Sequence, residues 1–374
     1  MLGDRKGIRL MIWSGPTIPT PLPPEVLASL TKVDVTNDAR QGDGFQMTVQ
    51  LSKDNPADYG ILLGGSLDLF NRMIIAVLIG ASLEVLIDGV ITQHQLSPSE
   101  EPGRSALTVT GKDISVMLDL EEHEDSYPYQ PDSVIVERLL LTYIPNGLMG
   151  PHMIIPTLDF PIDLMRTPQQ HGTDFKFILE LARRNGYVFY VEPFMFGVTR
   201  AYFGPENRIG LPQAALTLNM GTDTNLRNIS FTNDSLAPVG AKGSFIEPIL
   251  GMTIPIPAMP ALRIPPLTPF PSPVRRTTLL SQSANLGPLE AAASAIAAAT
   301  QAPEAVSGQG EIDSVRYGRV LRARSLVGVR GVGFTYDGLY YVQRVAHAIT
   351  LSDYRQSFTL SRDGTGALLP VLPT

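Results

Sequence analysis

The chain has 374 residues, enough for two or three domains with their own cores, and its 44% hydrophobic and 17% charged residues are a globular composition. A net charge of −7 argues against nucleic-acid binding as the main business, because phosphate neutralisation needs clustered Lys and Arg and only pairs such as Arg183-Arg184 and Arg275-Arg276 occur. With no cysteine, disulfides, thiolate catalysis and cysteine-ligated zinc are excluded.

The first residues, MLGDRKGIRLMIWSG, lack the continuous apolar core of a signal peptide. Residues 1–24 read as an irregular, proline-rich N-terminal arm, because PTIPTPLPPE places five prolines in ten positions. Regular structure is expected from about Val26. LTKVDVTND, FQMTVQLSK and LEVLIDGVITQHQLS alternate apolar and polar residues, and turn-rich NDARQGDG, SKDNPADYG and SPSEEPGRS separate them. ALTVTGKDISVMLDL adds another strand. The apolar run MIIAVLIGASL, residues 73–83, is shorter than the ~18–20 residues of a membrane span and reads as a buried strand pair, so no transmembrane segment is expected.

Helices follow. PDSVIVERLLLTYIPNG (131–147) reads as a short helix with Asp132 or Ser133 as its cap. TDFKFILELARRNGYVFYVEP (173–193) is the clearest local unit. Thr173 suits the N-cap, Asp174 the positive end of the helix dipole, and Phe175, Ile178, Leu179 and Ala182 recur at helical spacing with Phe177 and Leu181 widening the face. Asn185-Gly186 supplies a left-handed exit into an aromatic strand. AALTLN and LRNISFTND read as strands. Eight prolines in nineteen residues from Pro255 to Pro273 exclude a central strand or helix there. The Ala-rich stretch 288–305 is helical by propensity with a shallow apolar face. The proline-rich part reads as an extended arm packed on a partner or as a long loop, and residues 245–310 together read as an insertion. The β pattern resumes from Ile312, and no repeat of fixed period emerges.

The search for chemistry is negative. GVRGVG (328–333) has the wrong glycine order and the wrong following structure for a dinucleotide site, and Gly111-Lys112 lacks the spacing of a phosphate loop. The acidic run DLEEHEDS (119–126) matches no calcium loop and reads as solvated charge. No two of His94, His123, His152, His171 and His347 stand at metal-ligand spacing. His347 reads as a strand residue partly covered by its neighbours. No catalytic, cofactor-binding or metal-ligating residue is expected, and the chain is expected not to be an enzyme.

Two stretches carry a resemblance. Thr173, Asp174, Phe175, Phe177, Leu181, Gly186, Tyr187 and Tyr190 resemble a segment of phage late-control protein D and VgrG-type baseplate hubs; Glu180 departs, since that family often has arginine there. The C-terminal run is similar to the same family's last strands, with Val329-x-Gly331-x-Gly333, Asp337-Gly338-x-Tyr340-x-Val342, Val345-x-His347-x-Ile349 and Phe358-x-Leu360-x-Arg362 in order. LEVLIDGVIT with LTVTGKDISVMLDL fits the family's first barrel.

The resemblance implies a mainly β fold with some α: two tube-like antiparallel β-barrel domains joined by a small α/β region. The expected layout is an arm at 1–24, a first barrel at 25–122, a mixed helical connector at 123–185, a second barrel at 186–366 interrupted at about 245–310, and a tail at 367–374. It further implies a homotrimeric baseplate hub of a contractile phage tail or injection system, whose pseudo-sixfold ring adapts a hexameric inner tube to a trimeric spike. The partners implied are an Hcp-like inner tube protein, a separate trimeric spike protein and baseplate wedge proteins. Assembly is expected in the bacterial cytoplasm, before the chain becomes part of a particle. The alternatives are a tail-associated cell-wall hydrolase using the carboxylates at 119–125, Glu121 and Glu122 among them, and a carbohydrate-binding β module with aromatics from Tyr187 to Phe196 as its platform.

Overall fold

The computed structural model describes residues 7–51, 59–101, 104–157, 167–246, 252–259, 261, 263–280 and 288–368. The first half contains β1 (Ile8–Gly15), β2 (Thr20–Pro21), α1 (Pro24–Ser29), β3 (Leu30–Asp38), β4 (Gly44–Leu51), α2 (Gly60–Leu63), β5 (Arg72–Ile79), β6 (Ser82–Ser97) and β7 (Ser105–Asp113). The expectation of an irregular arm over residues 1–24 is corrected: Ile8–Gly15 pairs along its whole length with β5. The prolines begin only at Pro16, so they leave this strand's donors intact. Val33, Met47, Ile75, Leu86 and Val109, one from each of five strands, pack with Ile12 of β1 into a single core, so the sheet wraps around it. Each such fully buried aliphatic side chain contributes roughly 1.5–3 kcal/mol. The run 73–83 holds one buried strand, β5, and the turn into β6, whose first residues are exposed, so the expected buried pair is completed only further along β6.

The connector holds β8 (Glu122–Ser126), α3 (Asp132–Thr142), β9 (Met153–Ile154), β10 (Gln169–Thr173), α4 (Asp174–Asn185), β11 (Val188–Met195) and β12 (Val198–Gly204). Thr173 caps α4 by accepting from the Lys176 amide, and Gly186 exits it at φ 68°. Neither Asp132 nor Ser133 caps α3. Pro131 stands at the cap, and the Asp132 carboxylate instead accepts from Arg184 and Asn185 of α4. The strands form a separate sheet of order β11-β12-β9 and pack on the helices through Phe189, Val191, Ala201 and Phe203. The second β unit therefore starts after them, not at residue 186.

That unit contains β13 (Gln213–Thr217), β14 (Leu226–Asn233), β15 (Val239–Ile246), β16 (Thr253–Met259), β17 (Phe270–Pro271), β18 (Arg276–Leu279), α5 (Pro288–Gln301), β19 (Val306–Asp313), α6 (Ser314–Tyr317), β20 (Leu326–Arg330), β21 (Gly338–Thr350), β22 (Tyr354–Arg362) and β23 (Gly364–Thr365). The insertion begins earlier than expected, at β15, and forms a small sheet of order β16-β15-β18. The proline-bearing β16 is at its edge, where missing donors cost nothing. The shallow face of α5 suits it, because Ala291, Ala295 and Ala299 let the helix approach Ala241 and Ile256 closely. The segment after β16 is anchored on its own chain: the Leu267 amide donates to Asp363 at 3.0 Å and β17 pairs with β23. Residues 369–374 of the expected tail, like 1–6 of the arm, lie outside the described residues.

The two halves are one sheet and one pattern used twice. The ladder order is β14-β19-β22-β21-β3-β4-β7-β6-β5-β1-β2, with β20 also on β21 and β13 on β20. In chain order and in ladder order, β3, β4, β5, β6 and β7 match β14, β19, β20, β21 and β22. The irregularities match too. The register shift between Leu30 and Lys32 recurs between Leu226 and Asn228, and that between Ile91 and Gln93 recurs between Val342 and Arg344. Phe70 and Arg324 both hold φ near +65°, at 65° and 63°, and donate their amides to the equivalent carbonyls of Ile91 and Val342. LTKVDVTND and LRNISFTND share Leu, Thr, Asn and Asp in place. Only the first strands differ, since β1 runs antiparallel to β5 and β13 parallel to β20. The repeat has no fixed period because the insertion separates β14 from β19.

A Cβ at Gly186 would lie 3.1 Å from the Ala297 backbone of α5, whereas one at Gly197 meets nothing within 4 Å. Both residues have positive φ. Gly197→Ala is expected to cost the conformational part, roughly 1–2 kcal/mol. Gly186→Ala is expected to lose about a further 1–3 kcal/mol from overpacking. Urea unfolding of the two variants measures the difference.

Candidate functional site

The residues considered for chemistry do not come together. Glu122–Ser126 is a strand paired with Gln169–Thr173, and Glu121, Glu122, Glu124 and Asp125 are exposed along it. Glu122 lies 3.6 Å from Lys176, and His171 lies 4.0 Å from Glu124, both in solvent-exposed pairs. No group of three or more potential metal ligands occurs among the described residues. His94 contacts the Leu67 carbonyl at 2.6 Å, and His152 accepts from the Ala201 amide at 3.2 Å. Of the glycines of GVRGVG, Gly328 lies within β20, and Gly331 and Gly333 are turn residues with φ of 81° and 99°. The aromatic run 187–196 is no open platform. Phe189 and Tyr190 are buried, Phe196 packs on Trp13, and the Arg200 guanidinium covers Phe194.

What the structure does concentrate is the seam between the halves. Strand β21 serves both. Its edge pairs first with β20, up to Tyr341, and beyond Gln343 with β3, from Arg344↔Asp38 to Thr350↔Lys32. Alternation then puts Val345 in the second core, Ile349 in the first, and His347 between them. His347 is fully buried, more than the partial cover expected, and its Nδ1 meets the Tyr354 hydroxyl at 2.9 Å.

Beside it lies a buried ion pair that sequence reading missed. The turn Ala39–Asp43 carries Asp43 beneath β3, where its two oxygens receive four donors. These are Arg324 Nη2 at 2.5 Å and Nη1 at 3.0 Å, Asn37 Nδ2 at 2.9 Å and the Asp38 amide at 2.9 Å. A carboxylate has about four such lone-pair positions, so Asp43 is saturated. Arg324 also donates to the Asp38 carbonyl at 2.6 Å, and its guanidinium lies 4.2 Å from the Tyr190 ring of the connector. Burial opposes the charge on Arg324, but Asp43 more than offsets it and holds the guanidinium above its ordinary value. The Asp43 amide donates to Asp113 at 2.7 Å, and Asp113 caps the turn entering the connector through the Ser115 amide at 2.7 Å. Burial and the neighbouring Asp43 push Asp113 up to about 6. First half and second half therefore meet on one carboxylate, and the connector's Tyr190 covers the guanidinium that binds it.

A second buried cluster ties in the insertion. Arg208 donates to Glu206 at 3.0 Å and to Glu304 at 2.7 Å, Ser361 donates to Glu304, and Arg40 reaches Glu206 at 3.1 Å. Burial works against the Glu206 charge, but Arg208, Arg263 and Arg40 outweigh it and hold its carboxyl below the usual range. Arg362, the arginine of the C-terminal motif, is fully buried and donates to the carbonyls of Thr335, Asp337 and Gly366, fixing the turn before β21. These groups bind structure to structure.

The same arrangement leaves edges open. Among the described residues, β14 has a partner strand on one side only, and the β5 side of β6 has none beyond Val90. Phe70, held in a left-handed backbone, leaves 58% of its surface exposed. Bulky residues at positive φ cost of order 1–3 kcal/mol and persist where the surroundings enforce them. The candidate functional site is this surface of open strand edges.

Two measurements test the seam. Asp43→Ala leaves the Arg324 charge buried without a partner, and is expected to lose about 3–5 kcal/mol of unfolding free energy in denaturant titration. Burial first, and then the Arg322 charge, push His347 from 6.5 down to about 3. The unfolded chain takes up this proton as pH falls below about 6.5 while the folded chain refuses it down to about 3. The contribution is complete above 6.5 and is lost across that window. His347→Gln, read by unfolding midpoints against pH, is expected to flatten the acid-side loss between pH 6.5 and 3.

No protein-family model matches the chain, and no curated protein does. Solved structures do. A tail protein from Neisseria meningitidis MC58 shares 13% identity over 96% of this chain and 97% of that one, with a TM-score of 0.61. The 43 kDa tail protein of prophage MuSo2 from Shewanella oneidensis shares 12% over 96% and 99%, with a TM-score of 0.63. The E. coli c3393 protein, a component of the type VI secretion system similar in structure to the T4 tail proteins gp27 and gp5, shares 12% over 89% and 73%, with a TM-score of 0.52. The chain has the fold of these phage tail and type VI secretion proteins.

Proposed function

We propose that this chain is a structural hub of a contractile tail or tail-derived injection system. Three copies form a ring of six near-equivalent β units, and that ring matches a hexameric inner tube on one side and a separate trimeric spike on the other. The observation that carries this reading is the duplication, in which strand order, register shifts and left-handed residues recur between the halves. Two like units per chain, three times, is a symmetry-matching device that needs no catalytic group. The shared fold with tail proteins of similar length supports it. On this reading the partners are an Hcp-like tube protein, the spike and baseplate wedge proteins, the chain works without cofactor or catalysis, and assembly takes place in the bacterial cytoplasm. The connector and its buried ion pairs then serve to hold the two units at a fixed angle.

Native mass spectrometry of the purified chain tests the proposal. The expected species is three times the 40.6 kDa chain mass. A chain that remains monomeric, alone and with its spike protein, contradicts it.

A further inference from the structure

We infer that copies of this chain join by an antiparallel β ladder between Gln93–Ser97 of β6 in one copy and Ser230–Asp234 in and just after β14 of the next. The inference rests on the self-association in the hub reading and adds which edges meet and in what register.

The template is inside the chain. In the second half, β20 pairs with β21 as far as Tyr341. Past the bulged Gln343, the same edge takes β3 of the first half. In the first half, β5 pairs with β6 as far as Val90, the residue equivalent to Tyr341. Past the bulged Thr92, that edge has no partner strand among the described residues. The strand that should lie there is the equivalent of β3, which is β14. Its outer edge also has no partner strand among the described residues, and the strand carries no proline that would blunt it. One chain cannot make this ladder with itself while β21 joins its own β3. A second copy supplies both edges.

The repeat fixes the register. Arg344↔Asp38, Ala346↔Thr36 and His347↔Val35 within the chain translate to Gln93↔Asp234, Gln95↔Thr232 and Leu96↔Phe231 between chains. Gln93, Gln95, Leu96, Thr232 and Asp234 are all exposed in the single chain. The repeat also accounts for Phe70. Its equivalent, Arg324, reaches across the inner seam to the turn after β3. Phe70 is placed to reach the turn after β14 of the neighbour, where Leu236 is 57% exposed. The inner seam is thus ionic and the outer seam apolar, which keeps the two joints from exchanging partners. Because the contact is head to tail, it closes into a ring when the rotation allows, and closure leaves neither of these edges exposed.

The chain has no native cysteine, so introduced thiols report without background. In the full chain, Gln95→Cys with Thr232→Cys places thiols on directly opposed residues, within disulfide reach. Oxidation is expected to give a covalent three-chain species on non-reducing gels, reversed by reductant. Gln95→Cys with Asn228→Cys, about 13 Å out of register, is expected to give none. Phe70→Asp changes a solvent-facing ring to a residue that tolerates the left-handed backbone, and is expected to weaken association at least tenfold without lowering the unfolding midpoint of the single chain. A trimer by mass that fails to cross-link at 95 and 232, or links equally through 228, overturns the ladder and leaves the hub reading standing. A chain that is monomeric by mass overturns both.

Discussion

The pairing of Asp43 with Arg324 is the constraint on which the rest of the molecule depends. It joins the turn after the third strand to the residue that starts the last β meander, and it does so beneath the ring of a connector tyrosine. Taking two charges out of water costs several kcal/mol each, so the pair is weak evidence of net stability. Its geometry is strong evidence of specificity. Four donors from the two halves saturate one carboxylate, so the placement of Arg324 relative to the turn at Asp43 is tightly specified. Arg324 accepts a left-handed backbone to make these contacts, which is a further cost that the surrounding ladder enforces.

Around that joint the two halves are built alike. Each wraps a sheet around an apolar core, and a single long strand runs from one core into the other. His347 marks the crossing point. Its ring is buried between the two cores, against Tyr354, and burial keeps it neutral. A neutral imidazole fills a place where a fully apolar residue would leave the tyrosine hydroxyl without this partner. The connector sheet, the helices α3 and α4 and the insertion pack around the joint instead of extending either unit. The proline-rich segment follows the same logic: it is tied to β23 and buries Leu267 against Ala39, Leu326 and Tyr341.

Much of this was legible in the residues. Alternation located β3, β4 and β6, a continuous apolar run located β5, the capping pattern of Thr173 and Gly186 located α4, and the proline density ruled out a central strand. The failures have physical causes. Ile8–Gly15 looked like part of an arm because nearby prolines dominated the composition, although none lies within the strand. Asp132 looked like a cap because a carboxylate before a helix usually is one; here Arg184, fifty-odd residues later, claims it. Asp43 was read as a turn residue, and nothing local distinguishes a turn aspartate from one that anchors a distant arginine. The duplication did leave a trace, Leu, Thr, Asn and Asp at matching places in LTKVDVTND and LRNISFTND. A search for a constant period passes over it, because the insertion changes the interval between equivalent strands.

The central claim is that the two halves are equivalent units, and that the joint between them is repeated between copies. Images of the particle or isolated ring viewed down its axis test this most directly. The account predicts six evenly spaced β lobes, with a dominant sixfold rotational component and a weaker threefold one from the connector and insertion. Three lobes with no sixfold component, or an open chain of lobes, would contradict it.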